Sequence, residues 1–369
     1  MSLRERMHSF YMRVVDPEER GAGLAFVRGL LLPTSLLYGG ISWVRNYLYD
    51  AGYLSASRAE LPVISVGNIT AGGTGKTPFC AWLVGFLQDE GKEPAILSRG
   101  YGHDEETGLD DENRLLSSRA PDVPIVVNPD RVEGAATARR HAGADVAVLD
   151  DGFQHRRLAR DLDIVLVDAL LPFGGGHMLP RGILREPLSG LGRADVVVLT
   201  RSDMVDRDRL GEIRSRLAEL APDAPVACAA HRPAGLSRLL PGGGRQKENL
   251  EELESGPWGA FCGIGNPRGF RGTLEELGAD VRSFRAFPDH YRYEADTLRG
   301  LMEEGRAQGC ERLVTTEKDA GKVSPLLQSL PQTPVYVLQV EMQVTENRGA
   351  IEDAVRECVA GGGAGDRAI

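Results

Sequence analysis

The stretch VISVGNITAGGTGKTPFCAWLVGFL, residues 63–87, decides the fold. Val63, Ile64 and Val66 form an apolar, β-branched run that reads as a buried strand. Gly72, Gly73, Thr74 and Gly75 make a glycine-rich turn, and Lys76-Thr77 opens a segment in which Phe79, Trp82, Leu83, Phe86 and Leu87 recur with helical spacing. Strand, glycine-rich loop, Lys-Thr and helix are the parts of a phosphate-binding P-loop. The glycines let consecutive backbone N–H groups converge on phosphate oxygens, and the helix N-terminus adds partial positive charge. Lys76 is placed to reach the outer phosphates and the Thr77 hydroxyl to bind Mg²⁺. The strict pattern has Gly five residues before Gly75, where this chain has Thr70. The bland alternative is a glycine-rich turn that only joins strand to helix.

The rest of the chain supplies further strand ends with polar tips. Residues 94–98 read as a strand ending in Arg99-Gly100-Tyr101-Gly102, at the kind of position where open α/β sheets bind ligands. An acidic loop from Asp104 to Glu112 precedes a helical stretch, 113–119, and the strand 124–127 leads into Asn128-Pro129-Asp130-Arg131. The apolar run 145–149 ends in Asp150-Asp151, the pattern by which P-loop enzymes hold Mg²⁺ directly or through water. A strand at 164–168 leads to the turn-rich segment 172–187, in which Arg181 and Arg185 are candidates to clamp a phosphate or to pair with Glu186. Thr200-Arg201-Ser202-Asp203 is a weak likeness to a base-reading loop. Strands near 226 and 337 bracket a second strand–loop–helix region that contains Gly263-Ile264-Gly265-Asn266, and residues 241–256 read as a surface loop between elements.

At 369 residues and 42% hydrophobic content the chain is long enough for two domains, each with its own core. The net charge of −10 argues against a general nucleic-acid partner. Five scattered cysteines show no paired metal-ligand spacing and suit a reducing compartment. Between Leu24 and Tyr49 apolar residues dominate, with Arg28 and Arg45 flanking 16 residues interrupted by Pro33 and Gly39-Gly40. A transmembrane helix needs about 20 apolar residues, so an amphipathic segment lying in a membrane interface is the better expectation, against a helix packed on the protein's own core.

GNITAGGTGKTP, SRGYG, the Asp111-Glu112 pair, LDDGFQHRRLARDLDIVLVD, LPRGILREPL, FCGIGNP, FPDHY and TTEKDA occur in one order over residues 24–345. This set resembles the tetraacyldisaccharide 4'-kinase family of lipid A biosynthesis. The resemblance implies an α/β P-loop NTPase-type α/β/α domain, a smaller Rossmann-like α/β domain joined to it by a two-stranded connector, and an N-terminal membrane-associating helix. The expected boundaries are 1–50 for the membrane segment and 51–227 for the kinase domain, with a helix at 345–360 returning to it. The second domain is expected over 228–344 and a tail over 361–369. It further implies transfer of the ATP γ-phosphate, with Mg²⁺, to the 4'-hydroxyl of an acylated glucosamine disaccharide 1-phosphate lipid at the cytoplasmic face of the bacterial inner membrane. No obligate protein partner is implied.

By the same resemblance Lys76 and Thr77 match the phosphate and Mg²⁺ positions, and Asp150 and Asp151 the double aspartate. Asp111 matches the carboxylate that supports the attacking hydroxyl, and His290 its dyad partner. Arg131, Arg185, Glu186 and Tyr101 match polar residues lining the substrate site. Asp110 stands before Asp111 where the family has Gly, and the loop from Tyr101 to Asp111 is shortened. Two other classes compete on the P-loop alone. A carboxylate-activating ligase would yield an acyl phosphate or amide rather than a sugar phosphomonoester, and a nucleotide-switch adaptor would show partner-dependent hydrolysis.

Overall fold

The computed structural model describes residues 7, 10–11, 13–15, 19–100, 111–241, 243–289, 291–330 and 334–361. The chain forms two compact units, Phe10–His231 with Met342–Ile369, and Arg232–Glu341 with Met1–Ser9. It passes from one to the other inside two long strands.

The larger unit begins with helix α1 (Ala22–Asp50). It continues through β1 (Val63–Asn68), α2 (Lys76–Asp89), β2 (Pro94–Ser98), α3 (Asp111–Arg119), β3 (Ile125–Val127), α4 (Arg131–His141) and β4 (Val146–Asp150). β5 (Leu162–Asp168), β6 (Val196–Thr200), α5 (Arg207–Leu220) and the first part of β7 (Val226–Leu239) follow. The strand order is β3-β2-β4-β1-β5-β6-β7, with parallel pairing at β1–β4, β1–β5, β5–β6 and β6–β7. Strands of a parallel sheet are covered on both faces, which is why β1, β4 and β6 are buried at every position. Ile64 and Val66 pack with Phe79, Leu83 and Leu87 of α2 on one face. Val63 and Leu149 pack with Ala135 and Ala138 of α4 on the other. The order reverses at β1, which lies between β4 and β5, so the loops after β1 and β4 open at the switch point where such sheets bind ligands.

The smaller unit contains the rest of β7, then β8 (Arg245–Glu248), β9 (Pro257–Cys262), α6 (Pro267–Glu276), β10 (Asp280–Ala286), α7 (Ala295–Ala307), β11 (Leu313–Thr316), α8 (Glu317–Val323) and the first part of β12 (Val335–Glu346). Its strand order is β10-β9-β11-β12-β7, with β8 antiparallel on β7. Trp258 is the centre of its core: fully buried, edge-on to Tyr336, and donating its Nε1–H to the Leu253 carbonyl at 2.8 Å. After β12, helix α9 (Arg348–Ala360) packs Ile351 and Val355 into the larger unit's core.

Three local expectations change. Residues 245–248, expected within a loop, form β8, an all-polar edge strand whose pattern carries no hydrophobic alternation. β10 was not anticipated, because of its seven residues only Ser283 is buried. Pro33 and Gly39-Gly40 do not interrupt α1, which runs unbroken for 29 residues and is long and apolar enough to cross a membrane.

Helix α1 is also turned the reverse way from a helix of a soluble core. Only Leu24 and Ser35 are buried, which disfavours the alternative of a core-packed helix. Several of its polar side chains reach the protein. Ser35 Oγ donates to the Met178 carbonyl at 2.7 Å, Tyr38 Oη to the Arg185 carbonyl at 3.1 Å and Arg45 to the Gln154 carbonyl at 2.9 Å. Phe26, Leu30, Leu36, Leu37, Ile41 and Trp43 are exposed.

Candidate phosphate-transfer site

The P-loop is held from two sides. Ala71 N donates to the Ile183 carbonyl at 2.7 Å, and Arg185 N donates to the Ile69 carbonyl at 2.8 Å. On the other side Thr200 Oγ1 donates to the Thr74 carbonyl at 2.9 Å, and Arg201 donates to the Gly73 carbonyl at 2.7 Å while pairing with Asp168. Gly72 and Gly75 have φ of 109° and 89°, left-handed values that a side chain would strain. A Cβ on Gly75 would also meet the His231 ring and Met342 at 3.1 Å. Lys76 and Thr77 are the first two residues of α2, so the backbone N–H groups of the loop and helix start are free of intrahelical bonds.

Lys76 Nζ lies 3.3 Å from Asn68 Oδ1 and 3.4 Å from Asp151 Oδ1. Arg185 Nη1 donates to Asp151 at 2.7 and 3.0 Å and reaches Asn68 Oδ1 at 3.4 Å. Asp151 sits at a positive φ of 53° just beyond β4, which turns its side chain from the strand toward the loop. Burial works against its ionised form, but Lys76 and Arg185 outweigh that and bring its pKa down to about 2.

Asp150, the last residue of β4, behaves in the opposite way. Its carboxyl is buried, and among the described residues the Cys80 thiol lies 3.7 Å from Oδ1 as a side-chain donor. Burial, reinforced by the negative charge of Glu112, raises its pKa to about 7 in spite of Lys76 and Arg131. Arg131 is buried beneath it, donating to the Asp150 carbonyl at 3.4 Å and the Asn128 carbonyl at 3.0 Å; burial lowers its pKa to about 10.

Sequence reasoning therefore brings Lys76, Thr77, Asp150, Asp151, Arg131 and Arg185 to one sheet end. Glu186 is different: it is 2% exposed and turned inward, toward Gln154 Nε2 at 2.6 Å, Arg193 Nη2 at 2.7 Å and Asn46 Nδ2 at 3.2 Å. Arg185 thus pairs with Asp151, and Arg193 takes the place beside Glu186 that Arg181 or Arg185 might have filled. Tyr101 and His290 lie outside the described residues, and Asp111 is described only as the first residue of α3, without its side chain. In the smaller unit, FCGIGNP and TTEKDA meet where Gly263 N donates to Asp319 Oδ2 at 2.9 Å, and Lys318 pairs with Asp289 at 2.9 Å.

Sequence reasoning missed Asn68, Gln154, Arg193 and Cys80 as parts of the site, and offered Arg201 only within a weak likeness to a base-reading loop, whereas it holds the P-loop at the Gly73 carbonyl. Asn68 carried a usable signal, being a polar residue that closes an apolar strand directly before the loop. The others contact the site through folding alone.

The donor set suits a hard cation shared with phosphates. Thr77, Asp150 and Asp151 offer oxygen only, and Asp150 is a buried carboxylate without a hydrogen-bonded cationic partner among the contacts described above. No group of three or more acidic, His or Cys side chains forms a self-sufficient metal cage among the described residues. Mg²⁺ is characteristically bound by one or two carboxylates plus substrate phosphates, and Asp150 and Asp151 are carboxylates of that kind.

A family model described as tetraacyldisaccharide-1-P 4'-kinase matches residues 27–359. The tetraacyldisaccharide 4'-kinase of Anaeromyxobacter dehalogenans (strain 2CP-C) is 42% identical, over 85% of this chain and 85% of that protein. That of Syntrophus aciditrophicus is 38% identical, over 98% and 100%. The crystal structure of LpxK from Aquifex aeolicus in complex with ATP is similar with a TM-score of 0.67 and 31% identity, covering 90% of this chain and 99% of that one.

Proposed function

The chain belongs to the tetraacyldisaccharide-1-P 4'-kinase family, and from that premise we propose how it transfers the γ-phosphate of ATP to the 4'-hydroxyl of a tetraacylated glucosamine disaccharide 1-phosphate. The observation that carries the proposal is the meeting of the P-loop lysine with the double aspartate: Lys76, Asp151 and Arg185 form one charged cluster at the switch point.

The backbone N–H groups from Gly72 to Thr77 cradle the phosphates, and Lys76 exchanges its Asp151 partner for phosphate oxygens as ATP enters. Thr77, Asp150 and Asp151 would hold Mg²⁺, which when bound neutralises charge on the β- and γ-phosphates. Phosphoryl transfer needs little covalent help, so these residues act by positioning and by offsetting charge in the transition state. Arg185, freed in part from Asp151, is placed for the transferred group. Arg131 lies behind Asp150 and holds its backbone, a supporting place beneath the site. Asp111 is assigned to orient the hydroxyl, with His290 as its partner and Tyr101 lining the substrate site; for these three the family resemblance is the support.

The lipid substrate lives in a membrane, and α1 offers the surface for it. Ser35, Tyr38 and Asn46 are spent on hydrogen bonds to the rest of the larger unit, and the exposed large side chains of the helix are mainly apolar. A helix surrounded by lipid would have to give those bonds up. We therefore place α1 on the membrane surface rather than across it, on the cytoplasmic side where ATP is found. The test is incubation of purified protein with ATP, Mg²⁺ and the disaccharide 1-phosphate, followed by mass spectrometry. A second phosphomonoester on the lipid is expected; an acyl phosphate, an amide or unchanged lipid would overturn the assignment.

A further inference from the structure

Helix α1 makes a polar connection to the P-loop that membrane attachment does not require. Near its C-terminal end, Asn46 Nδ2 donates to Glu186 Oε2 at 3.2 Å. Glu186 is 2% exposed, and Arg193 shares the same oxygen at 2.7 Å. Its other oxygen accepts from Gln154 Nε2 at 2.6 Å, and the same Nε2 reaches the Asn68 carbonyl at 2.8 Å. Asn68 then places its own Oδ1 3.3 Å from Lys76 Nζ, and its Nδ2 donates to the Thr70 carbonyl inside the P-loop at 2.8 Å. Asn46 is itself fixed: Arg156 donates to its carbonyl at 3.0 Å and pairs with Asp50 at 2.7 Å.

A buried carboxylate is costly to ionise unless its oxygens are matched by donors. Glu186 has three, and each comes from a different part of the chain: α1, the segment after β4, and the segment before β6. Its position is therefore fixed jointly by those three parts. A shift of α1 relative to the sheet displaces Glu186, and Gln154 passes that displacement to the residue that holds the lysine.

We propose that Asn46 is a positioning residue for phosphoryl transfer, so that α1 is a structural part of the phosphate site as well as the membrane-facing element. Asn46 touches no substrate; it acts on Lys76 through Glu186, Gln154 and Asn68. The proposal rests on the kinase reading above. It also predicts that the two faces of one helix separate by function, the outer face governing membrane binding and the inner face governing turnover.

The test measures kcat, the KM for lipid and the Kd for ATP in detergent micelles, where membrane attachment is not limiting, alongside sedimentation with vesicles. Asn46→Leu removes the donor while keeping the side chain's approximate size. It should lower kcat about tenfold and weaken ATP binding, with the lipid KM and vesicle sedimentation unchanged. Leu36→Asp, on the exposed face, should lose sedimentation and keep kcat in micelles. Asn46→Asp should be worse than Asn46→Leu, because it sets a second carboxylate against a buried one. Unchanged kcat and ATP Kd in Asn46→Leu would overturn the proposal. So would losses that follow melting temperature alone. Wild-type protein that binds ATP but phosphorylates no lipid would instead sink the kinase reading, while the ATP Kd of the variants would still decide the role of Asn46.

Discussion

The ammonium of Lys76 lies 3.4 Å from a carboxylate oxygen of Asp151, whose other close partner is Arg185 at 2.7 Å. The cation proposed to serve the phosphates is thus held by an anion next to the loop. ATP entry is then an exchange of partners rather than the burial of a new charge, which keeps the site satisfied before and after binding. Lys76→Ala should reduce turnover at least about a thousandfold, the scale of losing a main charge-stabilising donor. Asp151 retains Arg185, so the melting temperature should change little. Near-normal turnover in the folded variant would remove the P-loop assignment.

The strand–loop–helix around this pair was readable from residues 63–87 because three signals agree there: a β-branched run, glycines at the turn and helical spacing after Lys76. Asp150 and Asp151 were readable because an apolar strand ends in charge. What they do individually was not. Their opposite pKa shifts come from burial in the folded sheet, reinforced by Glu112, for Asp150, and from Lys76 and Arg185 overriding burial for Asp151. β8 and β10 were illegible because edge strands carry no buried face to impose alternation. The continuity of α1 through Pro33 was also hidden, since sequence alone could not show that the helix has an outer apolar face and an inner polar one.

Gly67 tests the backbone packing at the switch point. A Cβ there would lie 2.5 Å from Phe153 Cβ and 2.7 Å from its backbone nitrogen, and Phe153 is fully buried. Gly67→Ala must push the segment after Asp151 away from β1, at a cost of about 1–3 kcal/mol for overpacking. Thermal melting should fall by several degrees with reduced ATP affinity. An unchanged melting temperature would show that the segment yields freely.

The exposed face of α1 predicts the response to charge. Leu36 and Ile41 are 66% and 61% exposed, so Leu36→Asp with Ile41→Asp removes no core packing. Membrane sedimentation should drop sharply, because interfacial binding follows buried apolar area, while the unfolding midpoint stays put. Retained sedimentation would mean that another surface holds the membrane.

Acid stability carries a sign that can be worked out. Burial lowers the pKa of His231 to about 3 and that of His155 to about 4, with nearby arginines adding to both. Below the ordinary value near 6.5 the unfolded chain binds protons that the folded chain refuses, so each histidine withdraws stability as pH falls, up to about 2 kcal/mol for the buried His231 by pH 5 and less for the half-buried His155, where solvent screens the charge. Asp150 acts oppositely: with its pKa raised to about 7, the folded state gains protons first and is favoured as pH falls from 7 toward 4. The His231→Gln variant isolates one contribution. Denaturant unfolding at pH 7.5 and pH 5 should show a smaller acid loss, or a larger acid gain, than wild type. An identical pH difference would mean that His231 titrates normally.

The most direct measurement of the central claim follows the phosphorus itself. Purified protein is given ATP labelled in the γ-phosphate, Mg²⁺ and the disaccharide 1-phosphate in micelles, and the label is located by separating lipid, nucleotide and inorganic phosphate. The account predicts label on the lipid at the 4'-oxygen, formed at the rate of ADP release and abolished in Lys76→Ala. Label found only in inorganic phosphate, with the lipid unmodified, would contradict it.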